Sequence, residues 1–127
     1  GTTTGRRRRC GWLDAVILRY SARVNGLTGI ALTKLDVLTG LPTLRLCVAY
    51  ECRGERLEHF PADAATLADC RPIYEEMPGW DADIGGARTL AELPAAARDY
   101  VVRVQELTGV PVSMISVGPE RDQMIFQ

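Results

Sequence analysis

The feature that most constrains the fold is an alternation of helix-like and strand-like segments along the chain. Residues 13–25 and 94–107 carry apolar side chains at helical spacing, and each segment precedes a glycine, Gly26 or Gly109, that suits a helix end. A short apolar run follows each glycine, at residues 29–33 and 110–116, and we interpret both runs as strands, the second as the last strand. Helices that alternate with apolar strands predict an α/β fold, with a mixed sheet flanked by helices.

Further segments complete this prediction. The sequence patterns indicate strands at residues 43–50, 56–60 and 71–77, a short helix at residues 62–70 and a loop at residues 81–87. The first two of these strands are joined through Arg53 and Gly54, and we expect the resulting hairpin at the periphery of the fold. Within the helix at residues 94–107, the side chains expected to face the core include Val101, Val102 and Val104.

The composition indicates one soluble globular domain. The chain has 127 residues, of which 46% are hydrophobic and 24% charged, and this is enough to build a core. Because the net charge is only -1, positive charge is local rather than spread over a face, and this argues against a nucleic-acid partner. No apolar run approaches the roughly 20 residues of a membrane-spanning helix, so we expect a cytoplasmic protein without membrane association.

The residues that most often bind metals do not have the spacing of a metal site. The four cysteines show no C-x-x-C motif, and His59 is the only histidine in the sequence. Asp81 and Asp83 lack the further carboxylate and the glycine-marked loop of a calcium site. The sequence therefore predicts no metal site among these residues.

The first nine residues, here called the arginine loop, contain four consecutive arginines after three threonines and a glycine. Adjacent guanidinium groups repel one another unless anions or water neutralise them, so the loop favours a negatively charged ligand. Threonine hydroxyls and guanidinium forks suit a dicarboxylate or a phosphate monoester. The start of the helix at residues 13–25 is expected to add backbone donors to this anion site. A solvated segment without a ligand is the alternative.

Two short segments that follow predicted strands carry patterns of nucleotide recognition. Residues 33–36, with the sequence TKLD, resemble the N-K-x-D motif of GTP-binding proteins, in which the aspartate accepts hydrogen bonds from guanine N1–H and the exocyclic amine. Residues 116–120, with the sequence SVGPE, place a glycine and a proline where backbone groups can meet a ligand. The alternatives are a strand end with a helix-capping aspartate and a simple turn.

Five blocks of sequence occur in the order found in one enzyme family. They are GTTTGRRRRCGWLD, GLTGIALTKLDVL, PIYEEMPGW, ELTGVPVSMISVGP and RDQMI. In these blocks, and over essentially its whole length, the chain resembles the carboxy-terminal part of adenylosuccinate synthetase. The resemblance implies part of a larger α/β enzyme with a P-loop-NTPase-like fold. That family joins IMP to L-aspartate: GTP phosphorylates the 6-oxygen of IMP, and the aspartate amine then displaces the phosphate.

The resemblance also implies roles for individual residues. Contacts to the aspartate carboxylates are implied for Thr2, Thr3, Thr4, Gly5, Arg6, Arg7 and Arg8. The resemblance also implies that Arg6 contacts the IMP ribose and that Arg8 contacts GTP. Guanine contacts are implied for two turns, the lysine turn (Lys34, Leu35 and Asp36) and the glycine turn (Ser116, Val117 and Gly118). Because many members have threonine where this chain has Val117, its contact is expected to use backbone atoms.

Several parts that the family needs for catalysis do not occur in this sequence. It has no G-x-x-x-x-G-K phosphate loop, and the family's catalytic aspartate and histidine and its Mg²⁺ ligands have no counterpart. We therefore expect residues 1–127 to be one compact region of a longer, GTP-dependent ligase that is inactive as this piece alone. The family usually acts as a homodimer. The alternative is a non-catalytic module that binds an anionic metabolite.

Overall fold

A computed structural model describes residues 1 and 3–127 and contains two mixed sheets with associated helices. The strands are β1 (Leu13–Asp14), β2 (Ile30–Leu32), β3 (Thr43–Cys52), β4 (Glu55–Leu57), β5 (Cys70–Pro78), β6 (Val112–Ser116) and β7 (Met124–Phe126). The α-helices are α1 (Ala15–Asn25), α2 (Ala64–Ala68) and α3 (Ala95–Thr108), and two 3₁₀ turns cover Leu35–Leu38 and Leu90–Glu92. The α/β class with mixed sheets and flanking helices is confirmed.

The larger sheet is built around β3. This strand pairs with β1 in parallel and with β4 and β5 in antiparallel orientation, and its register with β5 runs from Thr43 opposite Pro78 to Cys52 opposite Cys70. Leu44 and Leu46 of β3 are completely buried. The prediction of a peripheral hairpin is therefore wrong for β3, because its apolar residues pack into the core and its edges are occupied by three other strands.

The smaller sheet has the order β2, β6, β7. Strand β2 pairs with β6 in parallel, with Leu32 opposite Ile115, and β7 returns antiparallel to β6. The prediction that β6 is the last strand is wrong, because the chain turns back after residue 122 and adds β7. Only three residues long, β7 is too short to show a clear alternation in the sequence, and yet Ile125 is fully buried.

The two long helices end where the sequence predicts. The start of α1 and the set of core-facing residues of α3 differ from the prediction. Gly26 (φ 62°) and Gly109 (φ 71°) end them in the left-handed conformation that glycine adopts readily. Helix α1 starts at Ala15 rather than residue 13, because Leu13 and Asp14 pair with β3. Val102 is 40% exposed and not in the core, since each helical residue turns about 100° from the last.

One hydrophobic core joins the two sheets through α3. Val101 and Val104 of this helix are fully buried in the same cluster as Leu46 of the larger sheet and Ile115 of the smaller one. This shared core fixes the ends of β2 and β6 relative to the rest of the fold. None of the helices in the described part of the chain has the length and apolar character needed to cross a bilayer.

Candidate functional site

The lysine turn and the glycine turn lie side by side at one edge of the smaller sheet. Because β2 and β6 are parallel, their carboxyl ends meet at the same edge, where ligands of α/β sheets commonly bind. The Lys34 N–H donates a hydrogen bond of 2.6 Å to the Ser116 hydroxyl oxygen. The structure thus brings together two segments that are separated by about 80 residues in the sequence.

The lysine turn holds its backbone in an unusual conformation. Lys34 has φ 60° and ψ 38°, in the left-handed region that costs a non-glycine residue about 1 kcal/mol or more. The bond to Ser116 and the burial of Leu35, which is 1% exposed, stabilise this reversal. Backbone strain that is kept in this way is frequent at ligand-binding sites.

Asp36 lies within the 3₁₀ turn that follows Lys34 and is half-buried. Its carboxylate forms no ion pair and accepts no side-chain hydrogen bond from the residues that the structure describes. A half-buried carboxylate without partners can accept two hydrogen bonds from a ligand. The alternative role that the sequence left open, that of a helix cap, does not apply here, because the turn begins at Lys34 without a side-chain cap.

The segment behind the lysine turn is anchored to the end of β5. The Trp80 indole N–H donates to the Thr39 hydroxyl at 3.0 Å, and the Gly40 N–H donates to the Trp80 carbonyl at 2.8 Å. A Cβ atom on Gly79 would lie 1.7 Å from the Leu41 carbonyl oxygen, so only glycine permits this approach. The PGW sequence at residues 78–80 therefore holds the segment that follows the lysine turn.

The glycine turn presents backbone rather than side chains. Val117 is completely buried, and its N–H donates to the Gln123 carbonyl at 2.9 Å. Gly118 is followed by Pro119 and is half-buried, with no hydrogen bond from its N–H to any described residue. The only groups that this turn can offer a ligand are thus backbone atoms and the Ser116 hydroxyl.

A groove of about 530 Å³ runs between the two turns and over β6 and β7. Its volume falls in the range of about 300–1,000 Å³ that small-molecule sites occupy. Apolar side chains from the strands and polar groups from the turns both line it, an arrangement that suits a flat ring with polar edges. The lining residues are Thr33, Lys34, Met114, Ser116, Gly118, Pro119, Glu120, Arg121, Met124 and Phe126. Leu35, Asp36 and Val117 are not among them.

The arginine loop forms a second, open pocket of about 560 Å³, lined by Thr4, Gly5, Arg6 and Arg8. Gly5 has φ 63° and turns the chain so that its N–H reaches the Gly1 carbonyl at 2.8 Å. Arg7 does not line this pocket, although it is exposed beside it, and Thr3 is also exposed. Thr2 lies outside the described residues.

The guanidinium groups of the arginine loop have no partner among the residues that the structure describes. Among the described residues, none of the four arginines from Arg6 to Arg9 forms an ion pair or donates a side-chain hydrogen bond. Four neighbouring positive charges raise the local potential and attract anions. The structure therefore leaves this loop available for an anionic ligand.

The start of α1 does not contribute to this pocket, contrary to the prediction from the sequence. The Asp14 carboxylate caps the helix by accepting hydrogen bonds from the Val16 N–H at 2.9 Å and the Ile17 N–H at 3.2 Å. The Tyr50 hydroxyl donates to the other oxygen of the same carboxylate. Burial and this carboxylate raise the pKa of Tyr50 far above its usual value, which keeps the hydroxyl protonated as a donor. The N–H groups of Val16 and Ile17 are therefore already bonded and not available to an anion.

The chain that leaves the arginine loop passes directly beside the lysine turn. A groove of about 280 Å³ separates residues 11–13 from residues 32–35, and Tyr100 of α3 contributes to its wall. The segment that directly follows the arginine loop is therefore a neighbour of the lysine turn.

Sequence reasoning missed the contribution of β7 to the site. Met124 and Phe126 line the groove, and Gln123 contacts the glycine turn directly. Part of β7 lies in the block RDQMI, but three apolar residues after a turn that contains Pro119 are too few to give a separate strand signal. The short strand becomes visible only through its pairing with β6.

Known proteins of one family match this chain over nearly its whole length. The family model described as adenylosuccinate synthetase matches residues 1–125. Adenylosuccinate synthetase from Moorella thermoacetica is 66% identical over 125 residues, which are 98% of this chain and 29% of that protein. The corresponding protein from Bacillus licheniformis is 58% identical over 123 residues, which are 97% of this chain and 29% of that protein.

A solved structure shows the same fold. The structure of fully ligated adenylosuccinate synthetase from Plasmodium falciparum superposes with a TM-score of 0.94 at 40% sequence identity, covering 100% of this chain and 31% of that chain. The chain thus spans about 29% of the length of the curated relatives named above. From the family model, the identities and the shared fold, we conclude that the chain belongs to the adenylosuccinate synthetase family.

Proposed function

We propose that this chain forms the aspartate loop and the guanine pocket of an enzyme that makes adenylosuccinate from IMP and L-aspartate with hydrolysis of GTP to GDP and phosphate. The observation that carries the proposal is the pairing of the lysine and glycine turns at the end of β2 and β6, with the bond of 2.6 Å between Lys34 N–H and Ser116. Both turns belong to the blocks by which the chain resembles the family.

The lysine turn is proposed to select guanine. The Asp36 carboxylate would accept hydrogen bonds from guanine N1–H and the exocyclic amine, and adenine offers no such pair of donors. A wrong base would leave the half-buried carboxylate unpaired, which carries a desolvation penalty. Because Asp36 is not among the residues that line the groove, a base seated there would have to extend out of it to reach the carboxylate. The aliphatic stem of Lys34 would then lie against the base.

The remaining guanine contacts are proposed to come from the backbone. Leu35 and Val117 have buried side chains, so each would contact the base edge only through peptide groups. Ser116 would contribute its hydroxyl, which is free to donate while its oxygen accepts the bond from Lys34. Gly118 would contribute its N–H, which forms no hydrogen bond with the described residues.

The arginine loop is proposed to bind L-aspartate. The two carboxylates of this substrate can each accept a bidentate pair of hydrogen bonds from a guanidinium group, or a single hydrogen bond from a hydroxyl group. Arg6 would also contact the ribose of IMP, and Arg8 would also contact GTP. The groups assigned to the aspartate carboxylates are Thr2, Thr3, Thr4, Gly5, Arg6, Arg7 and Arg8.

The chemistry proposed for the whole enzyme has two steps. GTP transfers its terminal phosphoryl group to the 6-oxygen of IMP, and the amine of aspartate then replaces that phosphate at carbon 6. This chain would hold and orient GTP and aspartate for both steps. Holding reactants in a fixed orientation lowers the entropic barrier to their reaction.

Magnesium, homodimer formation and a cytoplasmic location complete the proposal for the whole enzyme. The described residues contain no group of three or more His, Cys, Asp or Glu side chains that could hold a metal ion. Asp83 is already bonded to the Gly85 N–H at 2.8 Å. These residues do not fit a magnesium site, and we assign no step of the reaction to a metal bound by this chain.

The proposal is tested in a chimera in which this chain replaces the matching 125 residues of the Moorella thermoacetica relative. The chimera should convert IMP only in the presence of both GTP and L-aspartate. Arg6→Leu should raise the aspartate KM or lower turnover by about a hundredfold, because a charge-assisted contact is lost. Arg71→Leu, a change at an exposed arginine of β5, is the matched control and should behave like the parent chimera.

Two results would contradict the proposal. An inactive but folded chimera that still binds dicarboxylates would favour the non-catalytic module, to which the unpaired arginines also point. An active chimera in which Arg6→Leu has no effect on aspartate kinetics would remove Arg6 from the aspartate site.

A further inference from the structure

Gln123 occupies a central place beside the glycine turn that the proposed function does not yet explain. It lies in the block RDQMI, directly before β7, and its side chain is half-buried. We propose that Gln123 is a positioning residue that holds the glycine turn in the shape that binds GTP. This inference rests on the proposed function and adds to it a residue that does not itself line the groove.

Every hydrogen-bonding group of Gln123 is committed to this region. The side-chain oxygen accepts from the Glu120 N–H at 3.0 Å, and the side-chain nitrogen donates to the Gly85 carbonyl at 3.1 Å. The backbone carbonyl accepts from the Val117 N–H at 2.9 Å, and the backbone N–H donates to the Glu120 carbonyl at 3.1 Å. Gln123 thus forms hydrogen bonds with both ends of the segment from Val117 to Glu120.

The carboxamide is also held between two glycines. A Cβ atom on Gly118 would lie 2.3 Å from the Gln123 carboxamide oxygen, and one on Gly85 would lie 3.0 Å from its nitrogen. Gly118 does not have a positive φ, so its backbone conformation does not demand glycine. The close approach of Gln123 explains why this position has no side chain.

The Gly85 segment is a firm support. Ile84 is 2% exposed and belongs to the main core. The Gly85 carbonyl also accepts from the Arg88 guanidinium at 2.8 Å, and the Gly85 N–H donates to Asp83 at 2.8 Å. Gln123 therefore connects the glycine turn to a part of the protein that is fixed by burial and by several hydrogen bonds.

This connection matters for binding because three residues of the supported segment line the groove: Gly118, Pro119 and Glu120. Val117 is anchored in the main core, whereas Pro119 and Glu120 are exposed and depend on Gln123 rather than on burial for their position. A turn that is already ordered before the ligand arrives does not lose conformational freedom on binding, so the protein binds the ligand with higher affinity. Without the Gln123 side chain, the turn would have to become ordered on binding, and the lost conformational entropy would weaken the affinity for the ligand.

The experiment uses the chimera described above with three variants. Gln123→Ala removes the side chain, whereas Gln123→Met keeps similar length against Gly118 without the two side-chain hydrogen bonds. Gln127→Ala is the matched control, because the Gln127 side chain donates to the Val112 carbonyl at 2.8 Å, at the opposite end of β6 from the glycine turn. For each variant, we would measure the GTP dissociation constant, the kcat at saturating GTP, the KM values for IMP and aspartate, and the Tm.

Both Gln123 variants should raise the GTP dissociation constant about tenfold, the size expected for loss of a hydrogen-bonded support. The kcat at saturating GTP and the KM values for IMP and aspartate should stay unchanged. Gln127→Ala should lower the Tm about as much as the Gln123 variants do, but it should leave GTP binding unchanged. This comparison separates a positioning role from an effect on general stability.

Unchanged GTP affinity in both Gln123 variants, with an active parent chimera, would overturn the positioning role and leave the proposed function standing. Equal weakening by Gln127→Ala would overturn it as well, because the effect would then be one of stability. A folded parent chimera that neither binds nor uses GTP would overturn the proposed function, and the positioning role with it.

Discussion

The centre of the larger sheet and the edge of the smaller sheet follow different rules. Strand β3 is ten residues long, pairs on both sides, and completely buries Leu44 and Leu46. At the edge of the smaller sheet, Lys34 has a left-handed backbone, Asp36 has no partner among the described residues, and Phe126 is 69% exposed. The first region is optimised for stability, whereas the second keeps strain and unused polar groups, as binding sites do.

The first prediction uses the difference in burial and has the largest expected effect. Leu46→Ala should lower the free energy of unfolding by about 3 kcal/mol, because it removes buried methyl groups and leaves a cavity in the core. Phe126→Ala removes a larger side chain at the groove but should lower the free energy of unfolding by less than about 0.5 kcal/mol. Denaturant unfolding of the chimera measures both, and equal losses would contradict the contrast between the two regions.

The second prediction concerns the unpartnered carboxylate. Asp36→Asn should reduce the preference for GTP over ATP by about a hundredfold, because a carboxamide replaces one acceptor with a donor that opposes the guanine N–H groups. The measurement is the ratio of kcat/KM values for the two nucleotides. Asp81→Asn, at an exposed aspartate elsewhere, is the control. A GTP preference that survives Asp36→Asn would exclude Asp36 from base selection.

The third prediction tests whether ion pairs stabilise the larger sheet. Arg103 of α3 donates to both carboxylate oxygens of Glu75 on β5, at 2.7 and 2.9 Å, and this lowers the pKa of Glu75. Because both side chains are about one-third exposed, solvent screens the pair, and Glu75→Gln should cost only about 1 kcal/mol at neutral pH.

The pH dependence of this pair has a defined sign. A carboxyl group with a lowered pKa in the folded state stabilises that state above its ordinary value of 4.5. The advantage of the parent chimera over Glu75→Gln should therefore shrink as the pH falls below 4.5. Glu76→Gln, which removes the more exposed pair with Arg45, should show little effect at any pH. A constant difference between parent and Glu75→Gln across this range would contradict the assignment.

The fourth prediction measures the strain at Lys34 and has the smallest expected effect on stability. Lys34→Gly should raise the free energy of unfolding by about 0.5 kcal/mol, since glycine relieves the left-handed strain but loses more backbone entropy. Arg53→Gly is the matched control, because Arg53 has φ 51° in the turn between β3 and β4. Both changes should stabilise similarly, but only Lys34→Gly should weaken GTP binding. Destabilisation by Lys34→Gly would mean that its conformation carries no strain.

The sequence predicted the regular parts of the fold because local chemistry decides them. Helical spacing and the glycines at positions 26 and 109 located α1 and α3, and the apolar run at residues 43–50 located most of β3. The start of α1 was misplaced because Leu13 and Asp14 join β3 across the sheet. Such tertiary pairing overrides helical propensity and leaves no mark in a local pattern.

The candidate site could be predicted only in part. The sequence named the lysine and glycine turns, but their contact through Ser116 depends on the parallel pairing of β2 and β6. The roles of β7 and Gln123 depend on contacts between segments far apart in the chain, such as the one with Gly85. The proposed contacts of individual residues with GTP, IMP and aspartate stay predictions.

A crystal structure of the chimera with bound GDP would test the proposed guanine pocket most directly. The guanine ring should lie in the groove between the lysine and glycine turns. The Asp36 carboxylate should lie about 3 Å from guanine N1 and from the exocyclic nitrogen. A guanine ring bound elsewhere in the protein, with Asp36 in contact with no base atom, would contradict the central claim.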